Sequence, residues 1–132
     1  MSTGEYKLAR YLGGRTHYAR VKVEITPGAQ GVAIADSVFG WLKDVYGPEA
    51  WEWRDCDHMR DGARAGALHA LQNLLDSASV GHVLVTEIHA SPVDTSTTDV
   101  AFATCLAVWN ALGDQGRVQP TLDQEWPLLC PT

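Results

Sequence analysis

The chain has 132 residues, 45% of them hydrophobic and 20% charged, with a formal net charge of −6. That length predicts a single domain (1–132) with a core of its own, and the apolar content excludes a disordered or fibrous chain. No run approaches the roughly 20 apolar residues of a membrane span: the longest, Val100 to Leu112, is interrupted by Thr104 and Asn110. Cys56, Cys105 and Cys130 are too few and too odd in number for a disulfide framework, and the opening residues lack the apolar core of a signal peptide. A cytoplasmic protein is expected.

The first strand is expected over residues 5–12. Gly13-Gly14-Arg15-Thr16-His17 then supplies turn chemistry before a second strand over 18–26. There Ala19, Val21, Val23 and Ile25 alternate with Tyr18, Arg20, Lys22 and Glu24, the period of two that gives one buried and one wet face. Pro27 to Gly31 makes a second turn, and Val32 to Phe39 reads as a third strand. Three consecutive strands, expected to pair as neighbours, therefore open the domain.

The stretch 40–56 is irregular and aromatic, with Trp41, Tyr46, Trp51 and Trp53 around Gly47-Pro48. A helix is predicted from Asp57, a suitable N-cap, to Asp76. Ala63, Ala67, Leu71 and Leu75 form its core stripe, while Gly62, Gly66 and Ala70 form a line of very small residues. Glycine inside a helix costs roughly 1 kcal/mol against alanine, so that line predicts close approach by another element. A fourth strand spans His82 to His89. The last helix runs from Thr97 to Leu112, with Ser96 and Asp99 in capping-box spacing. It is apolar nearly all round and needs cover on more than one side. Gly113 stops it, and residues 114–132, with three prolines, are expected to lie across the body as a strap. The resulting fold class is α/β (α+β): a two-layer βββ-α-β-α sandwich, a four-stranded sheet with two helices packed on one face.

Charge is unevenly placed. Through Lys22 the chain carries five basic residues (Lys7, Arg10, Arg15, Arg20 and Lys22) and one acid, Glu5, a local charge of +4; the remainder carries −10. A basic end on an acidic body suits a charge-steered contact with phosphate or an acidic partner; it equally suits a solvated strand face protected from aggregation.

Gly13-Gly14-Arg15-Thr16-His17-Tyr18 with the strand that follows resembles the opening hairpin of domain IV of translation elongation factor G. Pro92-Val93-Asp94-Thr95-Ser96 followed by Ala101-Phe102 resembles the Val-Asp-Ser-Ser and Ala-Phe signature that enters the last helix of that domain, and Gly62 stands where its first helix also has glycine. The matched elements keep their order over residues 5–113, with 40–56 as an insert. The resemblance implies the fold of ribosomal protein "S five" domain two, including a left-handed βαβ crossover. It also implies contact with RNA or the ribosome through Gly14, Arg15, Thr16 and His17 and through the loop from His89 to Val93. Pro92 replaces the histidine that the family has before its Val-Asp signature. No Gly-x-x-x-x-Gly-Lys-Ser/Thr segment is present, so neither GTP binding nor translocase activity is expected.

Other chemistry is sparse. Cys56 and His58 lie two apart and His82 and His89 flank a strand, without the paired spacing of a zinc site. Glu87, His89 and Asp94 are candidates for acid–base work, read more simply as a solvent face and a turn acceptor. No nucleophile-elbow, metalloprotease or dinucleotide motif occurs, so no enzyme activity and no cofactor are expected. Tyr18, Arg20 and Lys22 share a strand face on which aromatic rings could stack with bases while cations meet phosphate. The leading reading is therefore a non-catalytic RNA- or ribosome-binding module using Arg15, Thr16, His17, Tyr18, Arg20, Lys22 and His89. The alternative is an acidic protein-interaction or inhibitor module, docking a protein partner or a second copy through Trp41, Tyr46, Trp51 and Trp53.

Overall fold

The computed structural model describes residues 2–12, 15–28, 31–39, 54–74, 81–90 and 96–113. Along the chain come β1 (Ser2–Leu12), β2 (Arg15–Pro27), β3 (Gly31–Ile34), α1 (Arg54–Gln72), β4 (Gly81–His89) and α2 (Thr97–Leu112). They form the expected two-layer sandwich, a four-stranded mixed sheet with the two helices packed against it. The aromatic insert with Trp41, Tyr46, Trp51 and Trp53, and the segment 114–132, lie outside the described residues.

β1 and β2 pair antiparallel over their length, from Ser2 opposite Ile25 to Leu12 opposite Arg15. Alternation places Leu8, Ala19, Val21, Val23 and Ile25 against the helices, all buried, and leaves Thr3, Glu5, Lys7, Tyr18, Arg20 and Lys22 on the open face.

The strand order differs from the one expected. β4 pairs antiparallel with β2 and parallel with β3, giving β1-β2-β4-β3, so the third strand does not neighbour the second. β4 carries Val83, Val85 and Ile88, all fully buried, and belongs in the interior of the sheet. Pro27 and Gly31 lie at the same end of β4, paired with Gly81 and His82; two inter-strand spacings are about 10 Å, within the roughly 13 Å that four residues can reach, and Gly28 follows β2 at φ 132°. β3 itself ends at Ile34, short of the expected Phe39. Asp36 and Ser37 turn the chain there, and Val38 and Phe39 fold into the core at 0% exposure. The Val38 carbonyl accepts the Ile88 N–H at 3.1 Å, and the Arg60 guanidinium sits 5.0 Å above the Phe39 ring.

α1 begins three residues before Asp57 and stops at Gln72 instead of Asp76. Asn73 ends it, donating through Nδ2 to the His69 carbonyl at 2.8 Å and through its N–H to the Ala70 carbonyl at 3.3 Å. The line of small residues does what its spacing predicts. A Cβ on Gly62 would overlap the Thr97 carbonyl, and one on Gly66 the Ala101 carbonyl, so the α2 backbone rests directly on α1. Trp109 Nε1 crosses the same seam to donate to the Ala70 carbonyl at 3.0 Å. On its other side α2 lies against β1 and β2, where Gly4 admits Ala107 and Ala111. An apolar helix is thus covered from two directions, as its composition requires.

Candidate nucleic-acid interface

β2 bonds to β4 only from Arg20 to Pro27. Leu8 to Leu12 and Arg15 to Ala19 therefore continue as a two-stranded arm past the end of β4 at His89.

The inner side of the arm is tied to α2. His17 Nδ1 lies 2.6 Å from Asp99 Oδ1, with Asp99 fully buried and His17 8% exposed. Asp99 Oδ2 accepts the Ser96 N–H at 2.9 Å while Ser96 Oγ accepts the Asp99 N–H at 3.2 Å. The expected capping box is present and has acquired a third member from the hairpin. His17 is thus removed from the expected RNA-contacting surface: it shares the parity of Ala19, Val21 and Val23 and turns inward with them. That parity was readable in the sequence; the partner 82 positions away was not.

The open face runs in cross-strand rows. From the tip, Tyr11 stands opposite Thr16 and Ala9 opposite Tyr18; then come Lys7, Arg20 and His89, followed by Glu5, Lys22 and Glu87, and by Thr3, Glu24 and Leu84. Glu87 reaches this face because the register shifts between Lys22 and Val23, leaving Thr86 as the extra residue of a β-bulge. Simple alternation would put Glu87 inward with Val83 and Val85. The bulge turns it outward to Lys22 and sends Ile88 into the core instead.

Those carboxylates change the electrostatics expected of the face. Arg20 Nε donates to Glu5 Oε1 at 2.9 Å, and Lys22 Nζ lies 3.3 Å from Glu87 Oε2 and 3.7 Å from Glu5 Oε2. The Arg20 hydrogen bond holds the Glu5 carboxyl below its ordinary range, and Glu5 raises Arg20 in return. Arg20 and Lys22, expected as free cations for RNA, already carry intramolecular partners. Lys7 is exposed and has no ion pair among the described residues. The side chains of Arg10 and Arg15 lie outside the described ones. Tyr11, 72% exposed, is the most prominent apolar side chain of the described surface, and Tyr18 is half-buried on the same face. Below them, Glu5, Lys22, Glu24, Ser37, Thr86 and Glu87 line a depression of about 520 Å³ on the acidic half.

Burial of His89 against the sheet lowers its pKa, an effect opposed by Glu87 at 4.0 Å. Asp94, the third candidate for acid–base work, lies outside the described residues. His82 and His89 are seven residues apart on one strand, roughly 23 Å, too far to share an ion. Among the described residues no group of three or more His, Cys, Asp or Glu side chains could hold a metal. His58 is exposed, and the Cys56 side chain lies outside those described. Among the described residues, no helix is long and apolar enough to cross a membrane.

No family model matches the chain, and no curated protein matches it. Among solved structures it is similar to the crystal structure of a protein from Thermus thermophilus, with a TM-score of 0.54 and 16% identity over 85% of this chain. The chain spans 16% of the length of that protein, so the fold seen here is one part of a much longer molecule there. At that identity the likeness is one of fold.

Proposed function

We propose that the protein is a non-catalytic RNA-binding module whose working end is the tip of the β1–β2 arm, the role implied by its resemblance to domain IV of elongation factor G. The observation that carries this reading is the composition of the β1–β2 hairpin whose outer part is the arm, although two of its cations, Arg20 and Lys22, are paired with Glu5 and Glu87. Between Glu5 and Glu24 the chain holds five cations and no acid, and the outer part of that stretch stands clear of β4. A cationic projection on a molecule of net charge −6 meets phosphate locally, because the repulsion from the acidic body is screened beyond about 8 Å at physiological salt. Binding of this kind is modest in affinity and steep in salt dependence. The ribosome, or another ribonucleoprotein, is the partner class that fits such a tip.

Retention of the full chain on immobilised RNA at low salt tests the reading. Arg20 and Lys22 already have carboxylate partners, so the informative variant reverses Lys7, Arg10 and Arg15 to Glu together. Wild type is expected to be retained and the triple variant to pass through, with the slope of log affinity against log salt falling by about 0.7 for each phosphate that is no longer neutralised. A wild-type chain that is not retained at all overturns the proposal.

A further inference from the structure

We infer that the outer edge of β1 pairs antiparallel with β1 of a second copy of this chain, about a twofold axis at Tyr6, joining the two sheets into one. This goes beyond the RNA-binding reading and does not depend on it. β1 is the outermost strand of the sheet, and no described strand pairs with its other edge. Two hydrogen bonds identify the residues that face that edge. Asn110 Nδ2 donates from α2 to the Glu5 carbonyl at 3.1 Å, and Thr86 Oγ1 donates from β4 to the carbonyl of Lys22, the residue opposite Glu5, at 3.2 Å. Both carbonyls therefore point away from the β1–β2 ladder. Backbone groups of successive residues alternate in direction, so Thr3, Lys7 and Ala9 turn their N–H and C=O groups outward with Glu5. With the axis at Tyr6, Glu5 stands opposite Lys7 of the second copy and Thr3 opposite its Ala9, each a hydrogen-bonded pair. The Glu5 carbonyl keeps a second lone pair for that bond beside the one taken by Asn110.

Charge selects this occupant and this register. A lysine on an edge strand ordinarily deters pairing, but Lys7 stands directly opposite Arg20, a like-charge pair that is unfavourable by itself. The second copy brings its Glu5 to the other side of Lys7 and, by symmetry, its Lys7 to Glu5. The row of His89, Arg20 and Lys7 then continues into Glu5, Lys22 and Glu87 of the second copy, so that cations meet carboxylates across the join. Sliding the register by two residues either way would set Lys7 against Lys7 or Glu5 against Glu5. The flank of α2 above the edge agrees with the same occupant. Phe102, Leu106 and Asn110 follow one another at helical spacing, Phe102 meeting the Tyr6 ring at 6.1 Å between centroids and Asn110 the Glu5 carbonyl. Leu106 between them is half-buried, as Tyr6 is, where the rest of Val100–Trp109 is buried. An isologous contact brings these apolar side chains toward their own counterparts across the axis.

Sedimentation velocity of the full chain over a concentration series at low salt, without RNA, tests this. Wild type is expected to form a reversible dimer. Lys7→Glu sets like charges against each other at two symmetric positions and is expected to raise the dissociation constant about tenfold, whereas Lys7→Arg retains the dimer. Ala9→Pro removes an outward N–H that the β1–β2 ladder does not use, so it is expected to be monomeric while keeping the circular dichroism spectrum of wild type. With Cys56 and Cys130 replaced by Ser, Tyr6→Cys brings two cysteines to a Cα separation of about 4.5 Å across the axis, and mild oxidation is expected to give a covalent dimer. A wild type that stays monomeric, a dimer that Lys7→Glu and Ala9→Pro leave as tight as before, or a Tyr6→Cys chain that does not cross-link overturns the inference. None of these outcomes touches the RNA-binding reading.

Discussion

His17 and Asp99 lie 82 residues apart in the chain, and their side chains meet at 2.6 Å inside the fold, joining the hairpin arm to the first turn of α2. The same carboxylate closes the capping box with Ser96, so one buried group serves a helix terminus and a long-range contact at once.

Asp99→Ala removes both functions and leaves His17 without its partner. It is expected to cost about 3 kcal/mol, the sum of a lost cap and a broken buried pair. His17→Ala is expected to cost less, because the cap survives. Urea unfolding of both single variants and of the double variant gives the coupling. A coupling of less than about 0.5 kcal/mol would show that the two side chains contribute independently.

Acidification acts on the open face in two steps. His89 has a folded-state pKa below its ordinary value of 6.5, so its charged form is disfavoured in the fold. The unfolded chain then binds more protons, and the stability associated with neutral His89 is full above pH 6.5 and falls as the pH drops below it. Glu5 follows. Its folded pKa is lowered from 4.5, chiefly by Arg20, so its contribution is present above that value and is lost as the pH falls beneath it. The stability difference between wild type and His89→Gln should change between neutrality and about pH 5, and that between wild type and Glu5→Gln only in the more acidic range. Denaturation curves at a series of pH values check both; a flat difference for either variant rejects its assignment.

Gly66→Ala separates helix propensity from packing. Propensity alone predicts a gain of about 1 kcal/mol, but the new methyl would overlap the Ala101 carbonyl, where neither helix backbone can give way cheaply. Overpacking of this kind costs about 1–3 kcal/mol, so the variant is expected to melt at a lower temperature than wild type. A higher melting temperature would mean that α1 and α2 sit further apart than described.

Cys105 is open to chemistry only when the chain unfolds. It is 0% exposed in α2, and burial pushes its thiol pKa up, so little thiolate is present near neutrality. With Cys56 and Cys130 replaced by Ser, the native protein should resist alkylation, as read by mass spectrometry, and modification should rise in step with unfolding in denaturant. Rapid labelling of the native chain would contradict the described packing.

Much of the architecture was readable in the residues. Alternation from Tyr18 to Ile25 identifies β2 and its buried face, the Ser96 and Asp99 spacing places the start of α2, and the line Gly62, Gly66, Ala70 announces the helix seam. The strand order was not readable, since the chain order of β2 and β3 says nothing of a fourth strand entering between them. Nor was the end of β3, where the burial of Val38 and Phe39 competes with strand continuation and prevails. At the site, the sequence counts Arg20 and Lys22 as cations but does not show that Glu5 and Glu87 stand beside them. Those pairings depend on register, which is set by contacts across strands.

Local periodicity and composition were sufficient for the elements, their buried faces and the cationic character of the hairpin, because each is a property of neighbours along the chain. Tertiary structure alone decided which cations keep partners, which group meets the inward-turned His17, and how the bulge at Thr86 brings Glu87 out to Lys22. For His17 and Asp99 the deciding force is the cost of leaving a polar group buried without a partner; for the exposed cations it is the strand register, which sets Glu5 and Glu87 beside them.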